Sequence, residues 1–152
     1  WYRISLGSVT GYMRSISNSS SKSRLLYVYD GSFSDLPGGA YYTGYVQWAY
    51  AYGLVNGVSS SSFAPNQYIR RQDICVILYD YLTSYLGKSI STVAGTFTDD
   101  ASIASYARSA VYAMKNIGVV NGYTDGSFRP NGYATRAEVA TMFGALYKYV
   151  NG

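Results

Sequence analysis

The chain has 152 residues, a net charge of +4 and only 13 % charged residues, about half the usual share. It has no His and a single Cys. That excludes Ser-His-Asp and Cys-His nucleophile systems, His-based or thiolate-cluster metal sites, and an internal disulfide. A hydrophobic share of 48 % is enough for the core of one domain or of a few small units, and argues against wholesale disorder.

From the N-terminus, residues 2 to about 16 are predicted as a helix, with Arg3, Leu6, Val9 and Met13 at helical spacing. Gly7 and Gly11 fall inside it, each costing about 1 kcal/mol against Ala. Residues 15–23, Ser-Ile-Ser-Asn-Ser-Ser-Ser-Lys-Ser, form a polar linker. Residues 24–29 read as a short strand or an extended lead-in. Phe33-Ser34-Asp35 follows, its Asp suited to capping a helix start. An amphipathic helix is predicted over 41–52, stopped by Asn56-Gly57. Pro65 rigidifies the next loop, and a second helix starts near Ile69 with the stripe Ile74, Ile77, Leu78, Tyr81 and Leu82. Cys75 lies inside this apolar run and reads as a buried thiol, with an intermolecular disulfide as the alternative.

The pattern then starts again. Phe97-Thr98-Asp99 precedes a helix predicted over 103–116, and Asn121-Gly122 is followed by a reversal at Asp125-Gly126. After Pro130 comes a Thr-x-x-Glu capping box, Thr135 with Glu138, and the stripe Val139, Met142, Phe143, Leu146 and Val150. Gly53-Leu54-Val55-Asn56-Gly57 recurs as Gly118-Val119-Val120-Asn121-Gly122, 65 residues later. At the same offset Phe63-Ala64-Pro65-Asn66 matches Phe128-Arg129-Pro130-Asn131, and Arg71-Gln72-Asp73 matches Arg136-Ala137-Glu138. Ordered matches of this kind mark an internal repeat. The N-terminal stretch aligns as a third, partial copy, with Arg3 opposite Arg71 and Arg136, and Ser5 opposite Asp73 and Glu138. Pseudo-symmetry explains why two acids, Asp73 and Glu138, occupy matching places without invoking a glycosidase pair. The oxygen spacing around Asp125-Gly126 is wrong for a twelve-residue calcium loop.

Nineteen Tyr and sixteen Gly, with little charge, suit an extracellular surface. Tyr lines interfaces because its body is apolar and its tip polar, although packing on helix faces is the alternative for each ring. Arg70-Arg71 is the only adjacent basic pair, so there is no nucleic-acid stripe, while another anionic polymer remains open as a partner. No window of ~18 apolar residues exists to span a membrane. Beginning at Trp1, with no initiator Met and no secretory signal, the chain reads as a processed product or a fragment. No catalytic residue, metal site or cofactor is expected.

The unit Phe-x-Asp, helix, Gly-rich turn, Phe-x-Pro, Thr-Arg-Ala-Glu, helix resembles the S-layer homology domain. Gly122-Tyr123-Thr124-Asp125-Gly126-Ser127-Phe128-Arg129-Pro130 and Thr135-Arg136-Ala137-Glu138 carry the resemblance in the second unit. The first is looser, with Arg70-Arg71-Gln72-Asp73 in place of the box. The organisation expected is a partial repeat at 1–16, a linker and lead-in at 17–32, and repeats at 33–88 and 97–152. The resemblance implies an all-α fold of helix-loop-helix repeats in a pseudo-threefold spindle, the first repeat incomplete. It further implies a bacterial cell-surface location and binding of secondary cell wall polysaccharide, often anionic through pyruvylated sugars. The Arg of the box is then a ligand contact, pointing to Arg136, Arg71 and Arg3, with Glu138 and Asp73 in the same boxes. A guanidinium can bind a planar carboxylate at two points, and a helix start adds free N–H groups. Tyr133 and Tyr68, three residues before the boxes, are candidates for stacking on sugar faces.

Two functions compete. One is a wall-polysaccharide anchor. The other is a structural subunit of a self-assembling extracellular layer or filament, a homo-oligomer in which a neighbour fills the vacant half-repeat.

Overall fold

The computed structural model describes residues 33–93 and 95–152, with the backbone of three strands before them. The chain divides into two compact units, Trp1–Gln67 and Tyr68–Gly152. The boundary falls inside the first sequence repeat, between its two helices.

In the first unit β1 (Tyr2–Leu6), β2 (Val9–Arg14) and β3 (Leu26–Tyr27) form an antiparallel sheet in that order. This corrects the helix expected over 2–16. Leu6 and Val9, three apart, imitate a helical pair but are cross-strand partners, as are Tyr2 and Met13. Gly7 and Gly11 weaken a helix, whereas Val9, Thr10 and Tyr12 favour extended backbone. Arg3 therefore does not open a helix; it sits in mid-β1 opposite Tyr12. The expected linker at 15–23 lies outside the described residues.

From residue 33 onward the described structure is helical, as the repeats require. In the first unit α1 spans Thr43–Ala51, and the Thr43 hydroxyl donates to the Pro37 carbonyl at 2.6 Å. The helix stops at Gly53, whose φ of +68° is open to glycine at little cost. There the N–H groups of Tyr52, Gly53 and Leu54 turn back onto the carbonyls of Trp48, Tyr50 and Ala49. Gly118, φ +73°, ends the equivalent helix of the second repeat. Both stops precede the Asn-Gly pairs expected to supply them. Phe33, Leu36 and Leu54 are buried, and the Phe33 ring packs edge-on to Tyr50, 4.8 Å between centroids.

The second unit contains α2 (Arg71–Asp80), which runs on into a π-helical turn, Tyr81–Tyr85, α3 (Arg108–Asn116) and α4 (Arg136–Asn151). Two 3-10 turns, Asp100–Ser102 and Ser105–Ala107, occupy the beginning of the helix expected over 103–116. Ile74, Cys75, Leu78 and Leu82 from the α2 side meet Ala107, Ala110, Val111 and Met114 from the α3 side. The small side chains on α3 let the two helices approach closely. Met142 and Leu146 of α4 complete the core. Phe143, expected in the same stripe, is exposed. Cys75 is fully buried, and burial pushes its thiol up to about 12.

The Phe-x-Asp motif acts at longer range than a helix cap. Asp99 makes no capping bond. Its carboxylate accepts from the N–H groups of Phe128 and Arg129, each at 2.8 Å. Asp35 does the same in the first unit, accepting from the N–H groups of Phe63 and Ala64 and the hydroxyl of Ser62. The Phe63 N–H is the main reason the Asp35 carboxyl is held below its ordinary range. The residue between Phe and Pro is left-handed in both repeats, φ +57° at Ala64 and +58° at Arg129, a strained state for a residue with a Cβ. The two N–H bonds hold it there. Asp99→Ala is expected to cost about 2–3 kcal/mol, read as a lower midpoint in urea unfolding; an unchanged midpoint would show that the loop holds its conformation unaided.

Candidate functional site

The site lies in the second unit, where the starts of α2 and α4 are tied together through backbone. Arg71 N–H donates to the Gly132 carbonyl at 2.8 Å and Gln72 N–H to the Pro130 carbonyl at 3.2 Å. Arg70 and Tyr133 form an antiparallel bridge. Gln72, buried, fastens the next layer: its amide donates to Asn131 Oδ1 and its Oε1 accepts from Ala104 N–H.

Arg71 points inward, its side chain only 8 % exposed. Its Nε donates to the Phe128 carbonyl at 2.9 Å and a terminal nitrogen donates to Glu138 Oε1 at 2.6 Å. The guanidinium also lies over the Tyr123 ring, 4.8 Å from its centroid, and the Phe128 ring at 5.3 Å. Glu138 Oε1 accepts a second bond, from the Tyr123 hydroxyl at 2.5 Å. Oε2 accepts from the N–H and the hydroxyl of Thr135, while Thr135 Oγ1 accepts from Glu138 N–H. The expected capping box is therefore formed, and its Glu also neutralises Arg71. Tyr123 first, then the Thr135 N–H, hold the Glu138 carboxyl down to about 2. The same bond to Glu138 raises the Tyr123 phenol.

The surface residues are arranged differently. Arg70 donates through Nε to Asp73 Oδ2 at 3.0 Å and through a terminal nitrogen to the Tyr106 hydroxyl at 3.3 Å. Tyr106 in turn donates to Asp73 Oδ1 at 2.5 Å. Tyr68 and Tyr133 lie with ring centroids 5.5 Å apart, 84 % and 61 % exposed. Arg136 is exposed at the first position of α4. Among the described residues its guanidinium has no acceptor.

Of the residues singled out in the sequence, the fold brings together Arg71 with Glu138, and Tyr68 with Tyr133 beside Arg70 and Asp73. The side chain of Arg3 lies outside the described residues. Arg70, Tyr106, Gln72 and Tyr123 were missed as members. The Arg-Arg doublet was the available signal for Arg70; nothing in local pattern marks Tyr106, which arrives from 36 residues away.

Among the described residues no group of three or more His, Cys, Asp or Glu is arranged to hold a metal, and no helix is long and apolar enough to cross a membrane.

The S-layer homology domain model matches residues 32–75 and 96–140, the two repeats that carry these boxes. The chain belongs to the S-layer homology domain family. It is 38 % identical over 127 residues to an amylopullulanase of Thermoanaerobacterium thermosulfurigenes, covering 81 % of this chain and 7 % of the relative. An exoglucanase, XynX, of Acetivibrio thermocellus is 36 % identical over 127 residues, covering 81 % and 11 %. Cell surface glycoprotein 1 of Acetivibrio thermocellus is 26 % identical over 116 residues, covering 72 % and 5 %. This S-layer homology chain thus spans about a tenth or less of the relatives it matches, a segment shared by proteins with different names.

Glu138 binds its proton less readily folded than unfolded, so its contribution to stability is full above its ordinary pKa and is lost as pH falls toward about 2. Glu138→Gln should therefore be less stable than the parent at pH 7, the gap closing as pH falls from about 5 to about 2. Unfolding midpoints of the two proteins across that range check this; a pH-independent gap would contradict it.

Proposed function

We propose that this chain is a non-catalytic module that holds its parent protein on the outside of a bacterium by binding secondary cell wall polysaccharide. The observation that carries the proposal is the contrast between the two box arginines. Arg71 spends its charge on Glu138, whereas Arg136 stands exposed at a helix start with no acceptor among the described residues. A guanidinium in that position suits an acidic sugar substituent such as a pyruvyl carboxylate, with the helix N–H groups adding to the attraction. The exposed rings of Tyr133 and Tyr68 suit stacking on pyranose faces. In this reading Arg136 binds ligand, while Arg71 and Glu138 hold the starts of α2 and α4 in place from inside. The match to a short segment of much longer enzymes and of a surface glycoprotein fits a module that attaches rather than reacts.

Self-association is the second reading. Ala140, Phe143, Gly144 and Tyr147 follow one another along α4 at helical spacing and are exposed, a face that a second copy would cover.

Arg136→Ala should weaken sedimentation with native cell-wall sacculi by at least about tenfold without altering the melting temperature. Equal binding by the variant would remove Arg136 from the site, and a light-scattering mass that stays monomeric at high concentration would remove the second reading.

A further inference from the structure

Asn stands directly before Gly four times in the chain, at Asn56-Gly57, Asn121-Gly122, Asn131-Gly132 and Asn151-Gly152. Asn is a thermolabile residue, because the backbone nitrogen of the next residue can attack its side-chain amide carbon. A following Gly, with no Cβ, shields that nitrogen least. In a folded chain, hydrogen bonds to the amide and to the nitrogen oppose the attack, since each must open first. The four pairs divide sharply by that measure.

Asn131 and Asn151 are held. Asn131 Oδ1 accepts from the Gln72 amide at 3.1 Å, and the Gly132 N–H donates to the Arg129 carbonyl at 3.1 Å. Asn151 Nδ2 donates to the Tyr147 carbonyl and the Gly152 N–H to the Lys148 carbonyl, both at 2.8 Å. Asn56 and Asn121 are not held. Both are exposed, outside any helix or strand, at matching places in the two repeats. Among the described residues neither side chain has a hydrogen-bond partner, and the N–H groups of Gly57 and Gly122 have no acceptor. Yet both glycines are required by space. A Cβ at Gly122 would lie 2.8 Å from the Phe97 ring and from the Ser127 carbonyl. One at Gly57 would lie 2.5 Å from the carbonyls of Ser59 and Ser62. The packing of each repeat thus demands the residue that makes the preceding Asn reactive.

We propose that Asn56 and Asn121 are sites of spontaneous hydrolytic modification in the folded protein, with water as the co-reactant. The Gly nitrogen loses its proton to solvent and bonds to the Asn Cγ. The Cγ–Nδ2 bond breaks, and the nitrogen takes up a proton and leaves as ammonia. Water then opens the cyclic imide at either carbonyl, giving Asp or isoaspartate. Each conversion takes one unit from the net charge of +4. Isoaspartate also adds a carbon to the main chain. At position 121 that carbon enters between buried Val120 and Tyr123, whose N–H donates to the Ser127 carbonyl and whose hydroxyl donates to Glu138. This chemistry is independent of the wall-anchor reading.

The test ages the intact chain in mildly alkaline buffer and maps its peptides by mass spectrometry, with enzymatic methyl transfer to isoaspartate as a second readout. Amide loss at Asn56 and Asn121 should run at least about tenfold faster than at Asn131, whose bonds must open first. The products should appear as more acidic species on ion exchange. In urea, with the fold gone, the three should convert at similar rates. Asn56→Gln combined with Asn121→Gln, whose longer side chains close the ring far more slowly, should remove the acidic species and leave the melting temperature unchanged. Equal rates at Asn131 and at the exposed pair in the folded protein would overturn the proposal. So would amide loss at the pair that appears only in urea, or a gap to Asn131 that survives there. Amide loss with no methyl label would refute the imide route, because direct hydrolysis yields Asp alone.

Discussion

A guanidinium with less than a tenth of its side chain exposed must find partners inside the protein, and the fold of the second unit is organised around the partners that Arg71 finds. Leaving such a charge unpaired costs several kcal/mol. Arg71 meets the Phe128 carbonyl, the Glu138 carboxylate and two aromatic faces. Each partner is itself fixed by something else. Phe128 is placed by Asp99, which holds the left-handed residue after it. Glu138 is placed by the capping box of α4 and by Tyr123. One ion pair thus couples the start of α2, the Phe-x-Pro loop and the start of α4.

That coupling explains how charge is distributed over the boxes. The chain has a single Glu, and it is used internally, with both oxygens occupied. Its repeat partner Asp73 is one methylene shorter and serves the surface instead, pinning Arg70 and Tyr106. The same box position therefore performs two jobs: in one repeat its acid closes the interior, and in the other it orders an external cation. The arginines diverge in the same way, Arg71 inward and Arg136 outward. The scarcity of charge fits this division: the Arg71–Glu138 pair cancels in the interior, and much of the surface is left to tyrosine.

The helices after residue 33, the capping box and the burial of Cys75 follow from local spacing and could be read before any coordinates. What escaped was set by pairings distant in sequence. Arg71 and Glu138 are 67 residues apart, and Asp99 reaches 29 residues to Phe128, so a motif that looked like a helix cap is a loop anchor. At the N-terminus the spacing of Leu6 and Val9 was compatible with either a helix or a hairpin. Glycines 7 and 11 and the β-branched Val9 and Thr10 between them favour strands over a helix, whatever the repeat alignment suggests. Phe143 shows the limit of an apolar stripe: helical spacing identifies a face, and only packing reveals how wide that face is.

The central claim is that two arginines at matching places in two repeats have separate duties, one internal and one toward the wall. Lysine keeps the charge but loses the rigid fork, so Arg71→Lys and Arg136→Lys, compared side by side, separate these duties. Melting temperature and sedimentation with native sacculi should be read on both. The account predicts that Arg71→Lys melts earlier and that Arg136→Lys melts like the parent but binds the wall poorly. An Arg71→Lys protein that melts like the parent yet no longer binds, beside an Arg136→Lys protein that binds in full, would contradict it.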